Sequence, residues 1–355
     1  MKLTIEKNAL VTALTASAKV VQSRNTIPIL ANVRLFAGDM LSVCGTDLDI
    51  EVTSLCDANI EAQGETTVNA VTLLGIAKKA PSGALIAMGM DGDNLVVSYG
   101  RSRYSLATLP PEDFPQMASA EYDASFTIPA GRLSRLFGKV AFCASTEETR
   151  YYLRGVYLHN AEGGLRAVAT DGHKLAMCDD PMNTEIPGVI VPSGTISALD
   201  FGHGDVDVSV SETKIRFKTD AATIVSKVID GTFPEYTRVL PKNNDKMASL
   251  NGDALRSAVD RVSSVMERGG AVKFSFNADG LNIQGRGGIN SADDVIDADH
   301  DCDGLEIWFN PKYVNEVMQR IEGDAVLKLG TSGDPALVND SDDAAWLAVV
   351  MPMRA

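Results

Sequence analysis

A segment of about 120 residues recurs three times along the chain, and this repetition restricts the folds that the chain can adopt. Residues 150–177 show the pattern of strand, turn, strand, bend and strand. The tight turn falls at Gly163-Gly164, because glycine accepts positive φ without steric cost. A copy of this pattern spans residues 32–52, and a weaker copy spans residues 271–288. The chain therefore uses one supersecondary domain several times.

Each copy opens with a short strand that leads into an amphipathic helix. Leu10, Leu133 and Leu255 hold corresponding positions in the three opening helices, with apolar residues three and four positions later. A second helix follows the central strands of each unit, and hairpin strands end the unit. The predicted helices span residues 6–24, 71–80, 128–142, 192–201, 253–268 and 311–322.

Two polar segments that contain proline, residues 111–122 and 241–247, have the composition of domain linkers. They predict three domains over residues 1–118, 125–243 and 247–355. Two helices per unit, separated by long groups of strands, indicate antiparallel sheets with helices packed on one face. The predicted fold class is therefore α+β, with three repeated domains.

The formal net charge of −15 by itself argues against nucleic acid as a partner, since lysine and arginine supply most of the affinity for phosphates. The predicted helices, however, carry a net positive charge, and the excess of acidic residues lies in the rest of the chain. A basic helical face inside an acidic protein suits sequence-independent contact with a phosphate backbone. Ordinary solvation of exposed helix faces explains the same composition equally well.

The five cysteines form no CxxC pair, and an odd number favours reduced thiols in a cytosolic protein. The N-terminal segment lacks the apolar core of a signal peptide, and no run of about 18 apolar residues occurs. We therefore expect a soluble cytoplasmic protein.

Seven segments, in order along the repeat, point to one family: TIPILANV (26–33), GTDLDIE (45–51), GRSRYSLATLPPEDFP (100–115), RYYLRGV (150–156), VATDGHKLA (168–176), KVIDGTFPEYTRVLPKN (227–243) and VVMPMR (349–354). Along its whole length the chain resembles the bacterial DNA polymerase III β subunits, the sliding clamps. The resemblance implies a DNA clamp fold and a head-to-tail homodimer. Its six domains would form a ring with helices lining the hole and sheets on the outside.

Such a ring encircles duplex DNA without reading its sequence and tethers the replicative polymerase. The resemblance implies that the protein catalyses no reaction and holds no cofactor, and that it stays away from membranes. The implied partners are the DNA polymerase III alpha subunit, the clamp loader delta subunit, and other DNA polymerases and repair proteins that carry short linear motifs. ATP would be used by the loader complex.

The resemblance also implies a peptide-binding pocket between the second and third domains. Flexible methionines suit a surface that accepts many partners. Lys174 stands where arginine is common in the family, and Ala355 where a larger apolar residue is frequent. The implied pocket residues are Arg150, Tyr152, Leu153, Thr170, Gly172, His173, Lys174, Leu175, Pro234, Arg238, Val239, Val349, Met351, Pro352, Met353 and Arg354.

A DNA-facing surface is the second implied site, on the helices of the first two domains. Glu147 and Ser193-Gly194 replace a polar glutamine and a basic pair of the best-known relative, so we expect fewer phosphate contacts here. The implied DNA-binding residues are Arg24, Lys78, Lys79, Arg132, Arg135 and Lys139.

The third implied site closes the ring, where the edge strand of the first domain meets the third domain of a second copy. Two serines replace buried aliphatic residues of the best-known relative, which would weaken the contact by about 1–3 kcal/mol per residue. The implied interface residues are Arg103, Tyr104, Leu106, Ser263, Ser264 and Met266.

Two alternative functions remain open from the sequence. Asp171 and His173 lie two residues apart, so a catalytic dyad on a strand is geometrically possible. The chain has no nucleophile elbow, no phosphate-binding loop and no zinc motif, and its four histidines lack metal-ligand spacing. The other alternative is an accessory clamp of plasmid or phage type that acts mainly as a protein-interaction scaffold.

Overall fold

Each third of the chain repeats one order of elements: strand, helix, strands, helix and final strands. The computed structural model describes residues 1–21, 26–118 and 120–354. The first third contains β1 (Lys2–Glu6), α1 (Lys7–Ala18), β2 (Asn32–Ala37), β3 (Leu41–Thr46), β4 (Ile50–Cys56), β5 (Asn59–Ala62), β6 (Gly64–Asn69), α2 (Ala70–Lys79), β7 (Leu85–Asp91), β8 (Asn94–Tyr99) and β9 (Ser102–Leu109).

The second and third copies keep this order. The second contains β10 (Ala124–Pro129), α3 (Ala130–Gly138), β11 (Gly155–Ala161), β12 (Gly164–Thr170), β13 (Lys174–Asp180), β14 (Val189–Pro192), α4 (Ser193–Ala198), β15 (Asp205–Val210), β16 (Lys214–Lys218) and β17 (Ala222–Lys227). The third contains β18 (Lys246–Asn251), α5 (Gly252–Ser263), β19 (Val272–Asn277), β20 (Gly280–Gly287), β21 (Asn290–Ile296), β22 (Asp299–His300), β23 (Glu306–Phe309), α6 (Pro311–Met318), β24 (Asp324–Leu329), β25 (Ala336–Asp340) and β26 (Asp343–Val350).

Strands lead directly into helices, and five of the six helices are shorter than predicted, while α2 has the predicted length and begins one residue earlier. Pro192 pairs with Gly155 at the end of β14, and the helix predicted from residue 192 begins one residue later. Asparagine side chains cap three helices: the amides of Asn69, Asn251 and Asn310 each accept a backbone N–H of the first turn. Short 3-10 turns cover Pro28–Ala31, Pro111–Asp113, Ala141–Cys143, Glu148–Leu153 and Tyr236–Val239.

One compact unit consists of residues 1–133 and 194–228. Its thirteen strands form one sheet in the order β10-β15-β16-β17-β4-β3-β2-β6-β9-β8-β7-β1-β5. The sheet crosses the sequence repeat where β17 pairs antiparallel with β4, with Ile224 opposite Val52. The first-domain core beneath it buries apolar residues of both helices, including Leu10, Leu14 and Leu73.

The other compact unit consists of residues 134–193 and 229–355. A nine-stranded sheet runs β14-β11-β12-β13-β26-β25-β24-β18-β22, and a four-stranded sheet runs β21-β20-β19-β23. Here β26 of the third copy pairs antiparallel with β13 of the second, with Ala348 opposite Ala176. This pairing repeats the pairing of β17 with β4 in the first unit.

Among the strands with an open edge are β9 and β21, which hold the repeat positions of β17 and β4. β9 pairs with β6 only through Leu109 and Thr108, which leaves most of that edge of β9 unpaired within the described chain. β21 lies at one end of the four-stranded sheet.

The five cysteines are free, and burial raises the pKa of the Cys56 and Cys302 thiols to about 11. Within the described ranges, no helix has the length and apolar character needed to cross a bilayer.

Candidate functional site

The bend between β12 and β13 contains the predicted pocket residues Thr170, Gly172, His173 and Lys174. The Thr170 hydroxyl donates to the Lys174 carbonyl oxygen at 2.8 Å and accepts the Gly172 N–H at 3.1 Å. The Asp171 carboxylate accepts the backbone N–H groups of His173 and Lys174 at 2.8 and 2.9 Å. Two short polar side chains therefore hold the bend in one conformation, as threonine and aspartate often do in turns.

Glycine is required at the centre of this bend. Gly172 has a φ of 89°, and a Cβ atom there would lie 2.8 Å from a guanidinium nitrogen of Arg150. That guanidinium donates to the Asp171 carbonyl oxygen at 3.0 Å and pairs with Glu147 at 2.7 Å. Arg150 thus lies directly against the bend.

The C-terminal segment completes one side of the site. The Met351 N–H donates to the His173 carbonyl oxygen at 2.9 Å, which extends the pairing of β26 with β13 by one bond. The Met353 N–H donates to the Trp308 carbonyl oxygen at 2.7 Å. Met351 is 38% exposed, and Arg354 is exposed, so both side chains can reach a ligand. Ala355 lies outside the described residues.

Residues 233–239 include three further predicted pocket residues and two buried aromatic residues. Phe233 and Tyr236 are buried, while Pro234, Arg238 and Val239 are exposed. The Phe233 ring stacks on Tyr157 at 5.0 Å between centroids. The buried pair therefore anchors a segment whose exposed side chains face outward.

Tyr236 also belongs to a polar cluster that the sequence analysis missed. Its hydroxyl lies 3.1 Å from His159 Nε2 and 3.3 Å from Arg166, whose guanidinium pairs with Asp179. His159 stacks on Tyr157 at 4.5 Å. The sequence does contain an indication of this anchor. Tyr157 and His159 alternate along β11, and Phe233 and Tyr236 follow the hairpin strands.

Several predicted pocket residues lie beneath the surface. Leu153, Leu175 and Val349 are at most 4% exposed and belong to one apolar cluster with Phe233 and Tyr236. These three residues therefore form an apolar layer just beneath the surface, and their role as pocket walls remains a prediction. Val239, by contrast, is 52% exposed. Tyr152 is half-buried against the same cluster.

Lys174, which the resemblance assigns to the pocket, is buried and ion-paired. Its side chain is 5% exposed, and its ammonium lies 2.7 Å from Glu316 and 3.2 Å from Asp171. The ammonium also lies over the Tyr313 ring, 4.8 Å from its centroid. Burial lowers the pKa of this ammonium, but the Glu316 hydrogen bond and the Asp171 charge outweigh it and raise the pKa overall. Lys174 thus holds the bend through buried contacts with Asp171, Glu316 and Tyr313.

The predicted DNA-facing residues divide into exposed and paired groups. Lys78 and Lys79 are exposed at the end of α2, and Arg132 is half-buried on α3. Arg135 pairs with Asp343 and donates to the Asp179 carbonyl oxygen at 3.2 Å. Arg24 lies outside the described residues.

Lys139 does not fit the predicted DNA-facing surface. Its side chain is 9% exposed, and its ammonium lies 2.9 Å from Glu322 and 2.6 Å from the Arg320 carbonyl oxygen. Asp340 and Asp343 each lie 3.8 Å away. Carboxylates that are distant in the sequence therefore surround the ammonium, and this side chain is corrected to a buried ion-paired position.

The predicted interface residues lie on the two open edges and beside them. Arg103 is exposed on β9 and pairs with Asp91 at 3.2 Å, while Tyr104 and Leu106 are half-buried. On the other side, the Ser263 and Ser264 hydroxyls donate to carbonyl oxygens of their own helix at 3.1 and 2.6 Å. The serines thus satisfy their hydrogen bonds locally. Met266 is half-buried next to them.

The geometry does not favour the catalytic dyad. The Asp171 carboxylate is occupied by backbone N–H groups and by the Lys174 ammonium. The His173 imidazole stacks on Tyr313 at 6.1 Å between centroids. Among the described residues, no group of three or more histidine, cysteine, aspartate or glutamate side chains could hold a metal ion.

Comparison with known proteins places this chain among clamps. Family models of the DNA polymerase III beta subunit match it in three parts: the N-terminal domain at residues 1–118, the central domain at 127–235 and the C-terminal domain at 237–354. The beta sliding clamp of Caulobacter vibrioides is 42% identical, and that of Escherichia coli K12 is 34% identical. Each match covers 100% of both chains.

Solved structures give the same result. The Caulobacter crescentus pol III beta structure is 41% identical, with a TM-score of 0.92 and coverage of 100% of both chains. A DnaN sliding clamp from Bartonella birtlesii, solved bound to griselimycin, is 36% identical, with a TM-score of 0.96 over 100% of both chains. With three repeated α+β domains and matches over its full length, the chain belongs to the DNA polymerase III beta subunit family, the beta sliding clamps.

Proposed function

We propose that two copies of this chain join head to tail into a ring that encircles duplex DNA and holds replication proteins on it. The ring acts by topology and carries out no chemical reaction, in the cytoplasm and without a cofactor. The observation that carries this proposal is the repeated seam inside the chain, where β17 pairs with β4 and β26 pairs with β13. β9 and β21 hold the corresponding positions in the first and third repeats. They do not pair with each other within the described chain, and both retain open edges.

The repeat fixes the register of the missing seam. Tyr104 corresponds in the hairpin ladders to Ile224 and Ala348, and Ala292 corresponds to Val52 and Ala176. Ile224 pairs with Val52, and Ala348 pairs with Ala176. By this correspondence we infer that Tyr104 pairs with Ala292 of a second copy. A heterologous contact that closes after two copies gives a ring.

Charge supports this register. With Tyr104 opposite Ala292, antiparallel pairing places Arg103 opposite Asp293. Opposite charges directly across a strand pair favour association. Arg103 is 67% exposed and its partner Asp91 is 71% exposed, so the intrachain pair is weak and can exchange for a contact between copies.

The site around the bend of residues 170–174 is proposed to bind short linear motifs of partner proteins. Exposed Met351 and Val239 supply adaptable apolar contacts, and Arg150, Arg238 and Arg354 supply positive charge around them. The proposed partners are the DNA polymerase III alpha subunit, the clamp loader delta subunit, and other polymerases and repair proteins. Griselimycin in the Bartonella birtlesii clamp supports a ligand-binding surface in this family.

The proposed contacts with DNA are Lys78, Lys79 and Arg132, with Arg135 and the undescribed Arg24 as further candidates. A small number of phosphate contacts suits a protein that slides along DNA, because each contact adds a salt-dependent contribution to the affinity for DNA. The accessory-clamp alternative gains no support from the relatives described above, which are named beta sliding clamps.

Retention on circular DNA tests the proposed function. The chain is loaded by its own loader complex onto nicked circular DNA, and the complex is separated from free protein by gel filtration. We expect the protein to stay on the circle and to be lost when a restriction enzyme makes the DNA linear. Equal retention on circular and linear DNA would contradict topological binding.

Light scattering over a dilution series tests the seam. We expect Arg103→Asp and Asp293→Arg each to shift the dimer toward single chains, and the double variant to restore it. Asp91→Asn is the matched control, because it removes only the intrachain partner of Arg103. Failure of the double variant to recover would reject the register.

A further inference from the structure

The bend of the predicted peptide pocket has a structural twin in the first compact unit. The Thr46 hydroxyl donates to the Ile50 carbonyl oxygen at 2.8 Å and accepts the Leu48 N–H at 3.0 Å. The Asp47 carboxylate accepts the N–H groups of Asp49 and Ile50 at 3.0 and 2.8 Å. Each of these bonds has its counterpart in residues 170–174.

The surroundings of the two bends also correspond. The Lys227 N–H donates to the Asp49 carbonyl oxygen at 2.9 Å, as the Met351 N–H does to His173. Phe114 is buried and is followed by Pro115, just as the buried Phe233 is followed by Pro234. The Met117 N–H donates to the Glu51 carboxylate at 2.9 Å, which fixes this segment beside the bend.

The twin differs from the pocket at the central residue. Leu48 stands where the pocket has Gly172, and it has a φ of 80°. Leu48 is the one described residue other than glycine with positive φ, a conformation that disfavours a leucine side chain. Its side chain is nevertheless 42% exposed. Strained residues that project outward from a rigid frame are often found at binding sites.

Leu48 lines a cleft of about 240 Å³ whose other walls combine apolar and cationic groups. Pro115 and Met117 add apolar surface, and the charged residues that line the cleft are Lys214 and Lys227. The carboxylates of Asp47 and Glu51 accept hydrogen bonds from backbone N–H groups. Lys227 pairs with Asp49 at 2.9 Å, but both side chains are more than half exposed, so this pair is weak.

We propose that this cleft is a second docking site for a short extended peptide segment, one with an apolar side chain next to a carboxylate. The apolar side chain would pack on Leu48, Pro115 and Met117, and the carboxylate would pair with Lys227. The inference rests on the proposed peptide function of the first pocket, since that pocket supplies the frame for comparison. The pocket presents Met351 where this cleft presents Lys227, so the two sites would select different segments.

Selection from a random heptapeptide phage library against the full chain tests the proposal. We expect two classes of peptide to be enriched. One class, acidic and apolar, would lose at least tenfold in affinity on Leu48→Gly and on Lys227→Gln in fluorescence anisotropy. It would keep its affinity on Met351→Ala. Leu48→Gly replaces a strained residue with the glycine that the pocket itself uses, so the variant will fold.

The second class, which needs Met351, is the internal control for the first pocket. If only this class appears, the second site is rejected while the proposed function stands. If no class depends on Met351 but one depends on Leu48, the first pocket is rejected and the second site is supported. Enriched peptides that bind Leu48→Gly and Lys227→Gln as tightly as the original chain would overturn the inference.

Discussion

The ammonium of Lys174 lies 2.7 Å from a carboxylate oxygen of Glu316, which connects the bend of the predicted pocket to helix α6 of the third domain. Asp171, within the same bend, lies 3.2 Å from this ammonium. The lysine side chain is 5% exposed, so water screens these interactions little. The conformation of the bend therefore depends on a buried side chain.

Lys174→Met should destabilise the chain strongly, because it leaves Glu316 and Asp171 without their shared cation. We expect the free energy of unfolding to fall by about 3 kcal/mol, measured by urea denaturation. Lys312→Met is the matched control, since this lysine is 73% exposed and lies 3.7 Å from the same Glu316. Equal midpoints for Lys174→Met and the original chain would show that the connection contributes no stability.

Gly172→Ala should destabilise the bend and weaken peptide binding. The substitution places a methyl group 2.8 Å from the Arg150 guanidinium and forces alanine to a φ of 89°. We expect a loss of about 2 kcal/mol in thermal or chemical denaturation. Gly163→Ala separates the two causes, because Gly163 has a φ of 98° but open space around its Cβ position. Equal losses for both variants would mean that Arg150 moves aside at no cost.

Lys139→Met should affect folding, while Lys78→Met and Lys79→Met should affect DNA binding. Removing the Lys139 ammonium takes away the cation that lies 3.8 Å from the buried Asp340, and we expect a loss of about 3 kcal/mol in unfolding free energy. The exposed Lys78 and Lys79 should each change stability by less than about 1 kcal/mol.

Salt dependence of DNA binding provides the second measurement on these lysines. Each exposed lysine that contacts phosphate should lower the slope of log affinity against log salt by about 1 when it is removed. Unchanged slopes for Lys78→Met and Lys79→Met would remove both residues from the DNA-facing surface. Stability of Lys139→Met equal to that of the control variants would contradict its buried ion-paired position.

Stability should fall at mildly acidic pH because of His159. Burial lowers the pKa of this imidazole, and the nearby Arg166 guanidinium lowers it further. The unfolded chain therefore binds a proton more readily than the folded chain. The stabilisation is present above the unfolded pKa of about 6.5 and is lost as the pH falls through the lower folded pKa.

Urea denaturation at pH 7.5 and pH 5.5 checks this dependence. The original chain should lose more stability between these pH values than His159→Gln, which keeps a polar group near Tyr236 but does not titrate. His203→Gln is the control, as a histidine at an exposed position. Parallel loss in the original chain and in His159→Gln would assign the pH dependence to other groups.

The repeat and its secondary structure were predictable from the sequence because their causes are local. Alternation of apolar residues, glycine at Gly163-Gly164 and the Thr-Asp pair before each bend act within a few residues. The resemblance to sliding clamps led to the same family as the comparisons. The domain boundaries and the roles of individual site residues remain predictions.

The orientations of Lys139 and Lys174 were not predictable, because their partners are distant in the sequence. Lys139 follows a helix whose pattern suggests an exposed basic face, yet Asp340 and Asp343 lie about 200 residues further on. Glu316 lies 142 residues from Lys174. Local periodicity identifies a face as polar but does not show which carboxylates approach it.

The pairing of β17 with β4 and of β26 with β13 separates the unit of folding from the unit of sequence repetition. A fragment cut after residue 118 would lack β17 and would expose the edge of β4 to other fragments. A fragment of the second repeat alone would expose β13 in the same way. Open edges of this kind promote aggregation, so single repeats should aggregate even though each has its own helices and strands.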